Sequence, residues 1–148
     1  MRLMRGNVKG KPPCEIVTAY IFFSGKWKGA EMTREEFDKY CAALPAATHV
    51  IQWGGASVWK VGGKIFAICS IWGEGEGERI SFKCSDIGYM ALTERDGIIP
   101  APYLARAKWV QVTTPEAMND AELKEHIMHA YDIVKSKLTR AQRAELGI

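Results

Sequence analysis

From Thr33 onward the apolar positions keep a helical beat. Phe37, Tyr40, Cys41 and Leu44 fall on one face, and Pro45 ends the run. Thr33 and Glu36 stand at capping-box spacing, with Met32 and Phe37 at the two staple positions around them. A strand is predicted over residues 50–53, closed by Gly54 and Gly55. Two apolar runs follow, 57–61 and 64–71, joined by Gly62 and Gly63. A Gly-Gly pair between such runs predicts a two-residue hairpin turn, which needs positive φ at both central residues. That turn sets Val61 opposite Lys64, Lys60 opposite Ile65 and Trp59 opposite Phe66. The second run is apolar on both faces, Ile65, Ala67 and Cys69 against Phe66 and Ile68. It reads as a central strand with helices over one side and at least partial cover on the other.

Residues 73–78 alternate glycine and glutamate and read as a solvated acidic hairpin loop. The next strand, 78–84, points Ile80, Phe82 and Cys84 inward and Arg79, Ser81 and Lys83 outward. A short helix over 85–93 with Ser85 as its cap, a turn at Asp96 and Gly97, and an extended connector over 98–102 come next. One helical turn at 103–107 precedes a last strand at 109–112. The longest helix runs from its cap Asn119 to Leu138, with Leu123, Ile127, Ala130, Tyr131, Val134 and Leu138 along one face. Thr139 and Gln142 open a short terminal helix that ends at Gly147. The pattern predicts an α+β, two-layer sandwich, with helices packed on one antiparallel sheet of four to six strands.

Charge divides the 148-residue chain unevenly. Residues 1–32 hold six Lys/Arg and two Glu, a net of +4, while residues 33–148 hold fourteen Lys/Arg and fifteen Asp/Glu, a net of −1. With its Gly and Pro breaks, segment 1–31 reads as an N-terminal extension to a domain spanning 32–148, with Met32 as an alternative start. Its apolar run, residues 16–23, falls short of the roughly 20 residues that cross a bilayer. Glu15 and the lack of a small-residue cleavage site argue against a signal peptide. Cys14, Cys41, Cys69 and Cys84 show no C-x-x-C spacing and read as free thiols in a reducing cytoplasm.

Candidate chemistry is sparse. His126 and His129 lie on the flank and far side of the long helix and read as surface residues, and His49 sits in a loop beside Thr48. No nucleophile–base pair, metal-ligand spacing or phosphate-binding glycine loop is present, so no catalytic residue, metal or cofactor is expected. Glu74, Glu76 and Glu78 offer oxygen donors without the spacing of a calcium loop. Trp53, Trp59, Trp72 and Trp109 fall in or beside strands, interleaved with basic residues. Aromatics and cations on a sheet can stack bases and pair phosphates, which makes Lys60, Lys64, Arg79, Lys83, Arg106 and Lys108 candidate nucleic-acid contacts. Core packing is the competing role for the tryptophans.

The stretch from Val58 to Ala67, VWKVGGKIFA, resembles the MmcQ/YjbR-like family. So do Phe37 with Leu44 and Pro45, Phe82 with Lys83, Pro100 to Tyr103, Lys108 with Trp109 and Val112, and Ala130 to Val134 with Leu138. The resemblance spans about Thr33 to Leu146, with Ala130 where a serine is expected and no histidine in 103–108. It implies a frataxin-like two-layer fold and a non-enzymatic DNA-binding role, with Lys and Arg on the phosphates of double-stranded DNA. The alternative is a protein- or small-ligand-binding module that uses a Trp-rich sheet face.

Overall fold

A computed structural model describes residues 32–72 and 77–148. The expectations for 1–31 and for the Gly-Glu loop at 73–76 lie outside the described residues. Helix α1 (Arg34–Ala42) begins with the expected capping box: Glu36 N–H donates to Thr33 Oγ1 at 3.1 Å, and Thr33 N–H donates to the Glu36 carboxylate at 3.1 Å. Strands β1 (Ala47–Gln52), β2 (Ala56–Val61), β3 (Lys64–Ser70) and β4 (Arg79–Lys83) follow, then helix α2 (Asp86–Leu92) capped by Ser85. Strand β5 (Ile98–Pro100), a 3₁₀ turn (Ala105–Ala107), strand β6 (Trp109–Val112) and helices α3 (Asp120–Ser136) and α4 (Arg140–Leu146) complete the order.

The six strands form one antiparallel sheet in the order β1-β2-β3-β4-β6-β5. β1 is longer than the 50–53 expected. Residues 98–100, expected as a connector, pair with β6 as an edge strand, where Pro100 is tolerated. The four helices pack against this sheet. Phe37 and Cys41 of α1, Leu92 of α2, and Leu123, Ile127, Ala130, Tyr131 and Val134 of α3 are buried with Trp59, Val61, Phe66, Ile80, Phe82 and Val110. Tyr131 anchors the layers: its ring meets Phe66 edge-on at 5.4 Å, and its hydroxyl donates to the Pro45 carbonyl at 2.5 Å.

The hairpin departs from ideal pairing in one instructive way. Val61 lies opposite Lys64 and Lys60 opposite Ile65, but Trp59 lies opposite Ala67 and not Phe66. Phe66 is the extra residue of a β-bulge, which re-aims side chains and tightens local twist. The bulge turns Phe66 to the helix side beside Ala67 and Cys69, while Ile65 joins Ile68 on the other face. Burial demand from α3 overrides simple alternation here. The turn itself has φ +60° at Gly62 and +81° at Gly63, the left-handed pair a tight hairpin requires.

The helix-free face is apolar too. Ala56, Val58, Ile68, Ala101 and Trp109 are buried there, with Val50, Ile65, Trp72 and Leu104 packed against them. Residues 101–108 fold back over part of this face, held by Ala101 N–H to Trp109 O at 3.0 Å and Trp109 N–H to Leu104 O at 3.3 Å. That partial cover leaves a groove.

Candidate functional site

The groove has a volume of about 690 Å³, within the range of small-molecule sites. Ile65 and Ile68 of β3 and Trp109 of β6 form its floor, with Gly63 at the hairpin tip and Leu104 on the covering segment. Trp53, Trp72 and Tyr103 complete the lining among the described residues. Their rings touch in series: Trp53 to Trp72 at 5.5 Å, and Trp72 to Tyr103 edge-on at 5.9 Å.

Backbone strain singles out two of these rings. Among the described residues four non-glycines have left-handed φ, and two are groove aromatics: Trp53 at +52° and Tyr103 at +69°. Bulky residues are rare there, because Cβ crowds the following carbonyl. Tyr103 is 91% exposed, so its ring gains too little burial to offset that cost, and Trp53 is 51% exposed, with half its surface left open in the cleft. Strain held at exposed aromatics in a cleft is the pattern of a binding surface.

Beneath the groove's edge lies a polar layer. The Gln111 side chain, fully buried, donates from Nε2 to the Trp72 carbonyl at 3.0 Å and accepts from Arg79 Nη1 at 3.3 Å. This fixes the backbone that carries the Trp72 ring. Ser81, expected to point outward, is also buried between Ile68 and Gln111, and its hydroxyl has no hydrogen-bond partner among the described residues. The sheet face that alternation assigns to solvent is therefore covered.

The six basic candidates do not share one surface. Lys60 is half-buried on the groove face opposite Ile65. Lys64 is exposed opposite Val61, whose side chain belongs to the helix-side core. Arg79 and Lys83 stand at opposite ends of β4, about 13 Å apart at strand rise. The Lys83 ammonium donates to the Ala107 carbonyl, and burial, then Lys137 and Lys108, hold its pKa below the usual lysine value. Arg106 is exposed on the 3₁₀ turn, and the Lys108 ammonium lies 5.1 Å from the Tyr89 ring centre. Lys83 and Lys108 come together with Lys137 at the hairpin-tip end of the sheet, and Arg79 is at the other end.

Sequence reasoning missed a second cluster on the helix side. His49 lies in β1, not in a loop, and its ring stacks on Trp59 at 4.5 Å. Its Nε2 is 2.7 Å from Ser57 Oγ, the Ser57 hydroxyl donates to Asp38 at 2.5 Å, and Trp59 Nε1 donates to the same carboxylate oxygen at 2.9 Å. Serine, histidine and aspartate meet, but in the wrong order for nucleophilic catalysis. The serine proton points at the aspartate, so the imidazole donates to the hydroxyl instead of taking its proton. Ser57 is also fully buried. The cluster ties α1 to β1 and β2. His126 is likewise not a plain surface residue: its ring stacks on Phe82 at 5.5 Å, and burial lowers its pKa.

Among the described residues no group of three or more His, Cys, Asp or Glu could hold a metal ion. Glu78, one of the acidic-loop donors, pairs with Arg34 at 2.5 Å. No helix among them is long and apolar enough to cross a membrane.

The YjbR family model matches residues 42–133, from the end of α1 through most of α3. The chain belongs to the YjbR family. Its groove, the bulged hairpin and the covering segment 101–108 all fall inside the matched region. A crystal structure of the Deinococcus radiodurans protein DR2400, with a DUF419 domain, is similar at a TM-score of 0.69 and 26% identity, over 79% of this chain and 89% of that one. A Pseudomonas syringae protein shares the fold at a TM-score of 0.58 and 18% identity, over 70% of this chain and 99% of that one. No curated protein matches the chain.

Proposed function

We propose that this YjbR-family chain is a non-enzymatic binding protein whose working surface is the aromatic groove on the helix-free sheet face. The observation that carries this reading is the pairing of strain with exposure. Trp53 and Tyr103 hold left-handed backbone, present exposed rings, and both touch Trp72 at the rim of an apolar cleft. A fold optimised for stability alone would place glycine at position 103, where the ring is 91% exposed. An apolar or aromatic small molecule that stacks on these rings gains about 1–3 kcal/mol per stacked contact by analogy with bases on aromatic platforms.

The test is equilibrium binding of the uncharged fluorophore N-phenyl-1-naphthylamine to the full chain. Saturable binding is expected, weakened at least several-fold in Tyr103→Ala and in Trp72→Ala. Unsaturable binding, or variants that bind as tightly as the parent, refutes the groove.

A second reading keeps double-stranded DNA as the partner. It is favoured by Lys137 and Lys108, which add to burial in lowering the Lys83 pKa and so gather three cations at one corner of the domain. Against it stand the net −1 of residues 33–148 and the contacts already made by Lys83 and Lys108. Duplex binding that falls steeply between about 50 and 200 mM salt supports this reading. Salt-independent or absent binding removes it.

A further inference from the structure

The two ends of the groove differ in charge. At one end Trp53 and Trp72 close it with apolar rings, and the nearby carboxylate Glu78 is already paired with Arg34. At the other end the lining residues are Gly63 and Ile65. Lys60 sits directly opposite Ile65 in the β2–β3 register. Residues so paired share a face with Cβ atoms about 4.5–5.5 Å apart. Val58, two residues earlier, is buried in the groove-side cluster, which fixes the side on which Lys60 emerges.

Lys60 is half-buried and makes no hydrogen bond or ion pair among the described residues. On the next strand but one, Lys83 leaves β4 on the same face, alternating with inward Phe82 and Ile80. It is engaged with the Ala107 carbonyl. Asp86 is the carboxylate that acts on Lys83, from the start of α2, and among the described residues no carboxylate lines the groove. An unpaired ammonium on a half-buried side chain beside an apolar cleft is a cation without its anion. Its stem can lie along Ile65 while its head reaches the opening.

We infer that the groove takes a monoanionic amphiphile, its aromatic or acyl body on Ile65, Ile68, Trp72 and Trp109 and its single acidic head on Lys60. This rests on the groove being a binding site, and adds what enters it and which way round. Ile65 and Ile68 lie opposite Lys60 and Val58, two residues apart on β2, so they span about 7 Å. A bicyclic ring or a medium acyl chain spans that floor with its acid end at the hairpin tip. Among the described residues a dianion or a phosphodiester chain would find Lys60 unpaired at this end and Lys83 already engaged, where it needs several free cations.

Two matched probes separate the claims: 8-anilinonaphthalene-1-sulfonate, which is anionic, and uncharged N-phenyl-1-naphthylamine. Each is titrated into the full chain, Lys60→Gln and Lys64→Gln, with near-UV circular dichroism to show that the variants keep the native fold. Lys60→Gln is expected to weaken the sulfonate about tenfold or more, as loss of a charge-assisted contact does. The uncharged probe should shift less than twofold. Lys64→Gln, on the other face, should leave both unchanged. If the uncharged probe binds and Lys60→Gln leaves the sulfonate unaffected, the anionic class is wrong and the groove stands. If the sulfonate weakens equally in Lys64→Gln, the effect is general charge and the assignment to Lys60 fails. If neither probe saturates on the parent, the groove reading falls and this inference with it.

Discussion

Replacing Gly62 by alanine tests how the hairpin is locked to the helix layer. Gly62 has φ +60°, and a Cβ added there would lie 2.6 and 2.7 Å from the two methyls of Leu138. Leu138 is itself 3% exposed, just after the C-terminal end of α3, so it cannot swing into solvent to make room. Two costs therefore add. Left-handed backbone costs an L-residue about 1–2 kcal/mol, and forcing a methyl into a packed site costs about 1–3 kcal/mol. Alanine returns about 0.4–1 kcal/mol by restricting the unfolded chain. Gly63 supplies the control, because it has φ +81° but nothing within 4 Å of an added Cβ. Gly63→Ala should therefore lose only the backbone part. Urea unfolding followed by circular dichroism should show Gly62→Ala less stable than Gly63→Ala by about 1–3 kcal/mol, with unchanged m-values. Equal losses in the two variants would show that the hairpin tip does not abut Leu138, and the packing described for that end of the sheet would be wrong.

Other outcomes follow from the same geometry. Asp38→Ala should cost about 1–3 kcal/mol in urea unfolding, because it leaves the buried Ser57 hydroxyl and the Trp59 indole N–H without their acceptor. Tyr103→Gly should leave stability unchanged or slightly raised while weakening groove ligands, since it removes a left-handed strain of about 1–2 kcal/mol and a ring that is 91% exposed. For His126, burial depresses the folded pKa, so the unfolded chain binds the proton more tightly. Stability is then full above the unfolded value and declines as pH falls through the depressed folded value. Relative to the parent, His126→Gln should show less loss of unfolding free energy as pH falls below about 6.5. Burial also pushes the Cys69 thiol to about 12, Cys84 to about 11, and Cys41 upward. In a Cys14→Ser chain, Ellman's reagent should find no fast-reacting thiol until denaturant is added.

Most of the elements were legible because their signals are local. Capping residues Thr33, Ser85, Asn119 and Thr139 each begin the helix they announce. Gly62 and Gly63 make the expected turn, and residues 109–112 form the expected strand. What could not be read depends on contacts distant in sequence. The bulge at Phe66 sets its ring against Tyr131 of α3, a partner distant in sequence, and alternation within β3 carries no trace of that. β5 becomes a strand only because β6 offers it an edge. His49 meets Asp38 and Ser57 across three elements, so no spacing announces the cluster. The groove was half visible. Trp53, Trp72 and Trp109 stood out as strand-associated aromatics, and a Trp-rich sheet face was a stated alternative. Tyr103 offered one signal, a bulky residue after Pro102 in a segment too short to bury it. Its left-handed backbone could be known only from the fold.

The tryptophan indole N–H resonances give the most direct test of the groove. Trp53, Trp72 and Trp109 line it, whereas Trp59 faces the helices with its N–H on Asp38 and serves as an internal control. ¹⁵N-correlated spectra of the full chain titrated with N-phenyl-1-naphthylamine should show the Trp53, Trp72 and Trp109 signals moving together along one saturating isotherm while Trp59 stays fixed. Movement of Trp59 alone, or no movement at saturating probe, would contradict a binding site on the helix-free face.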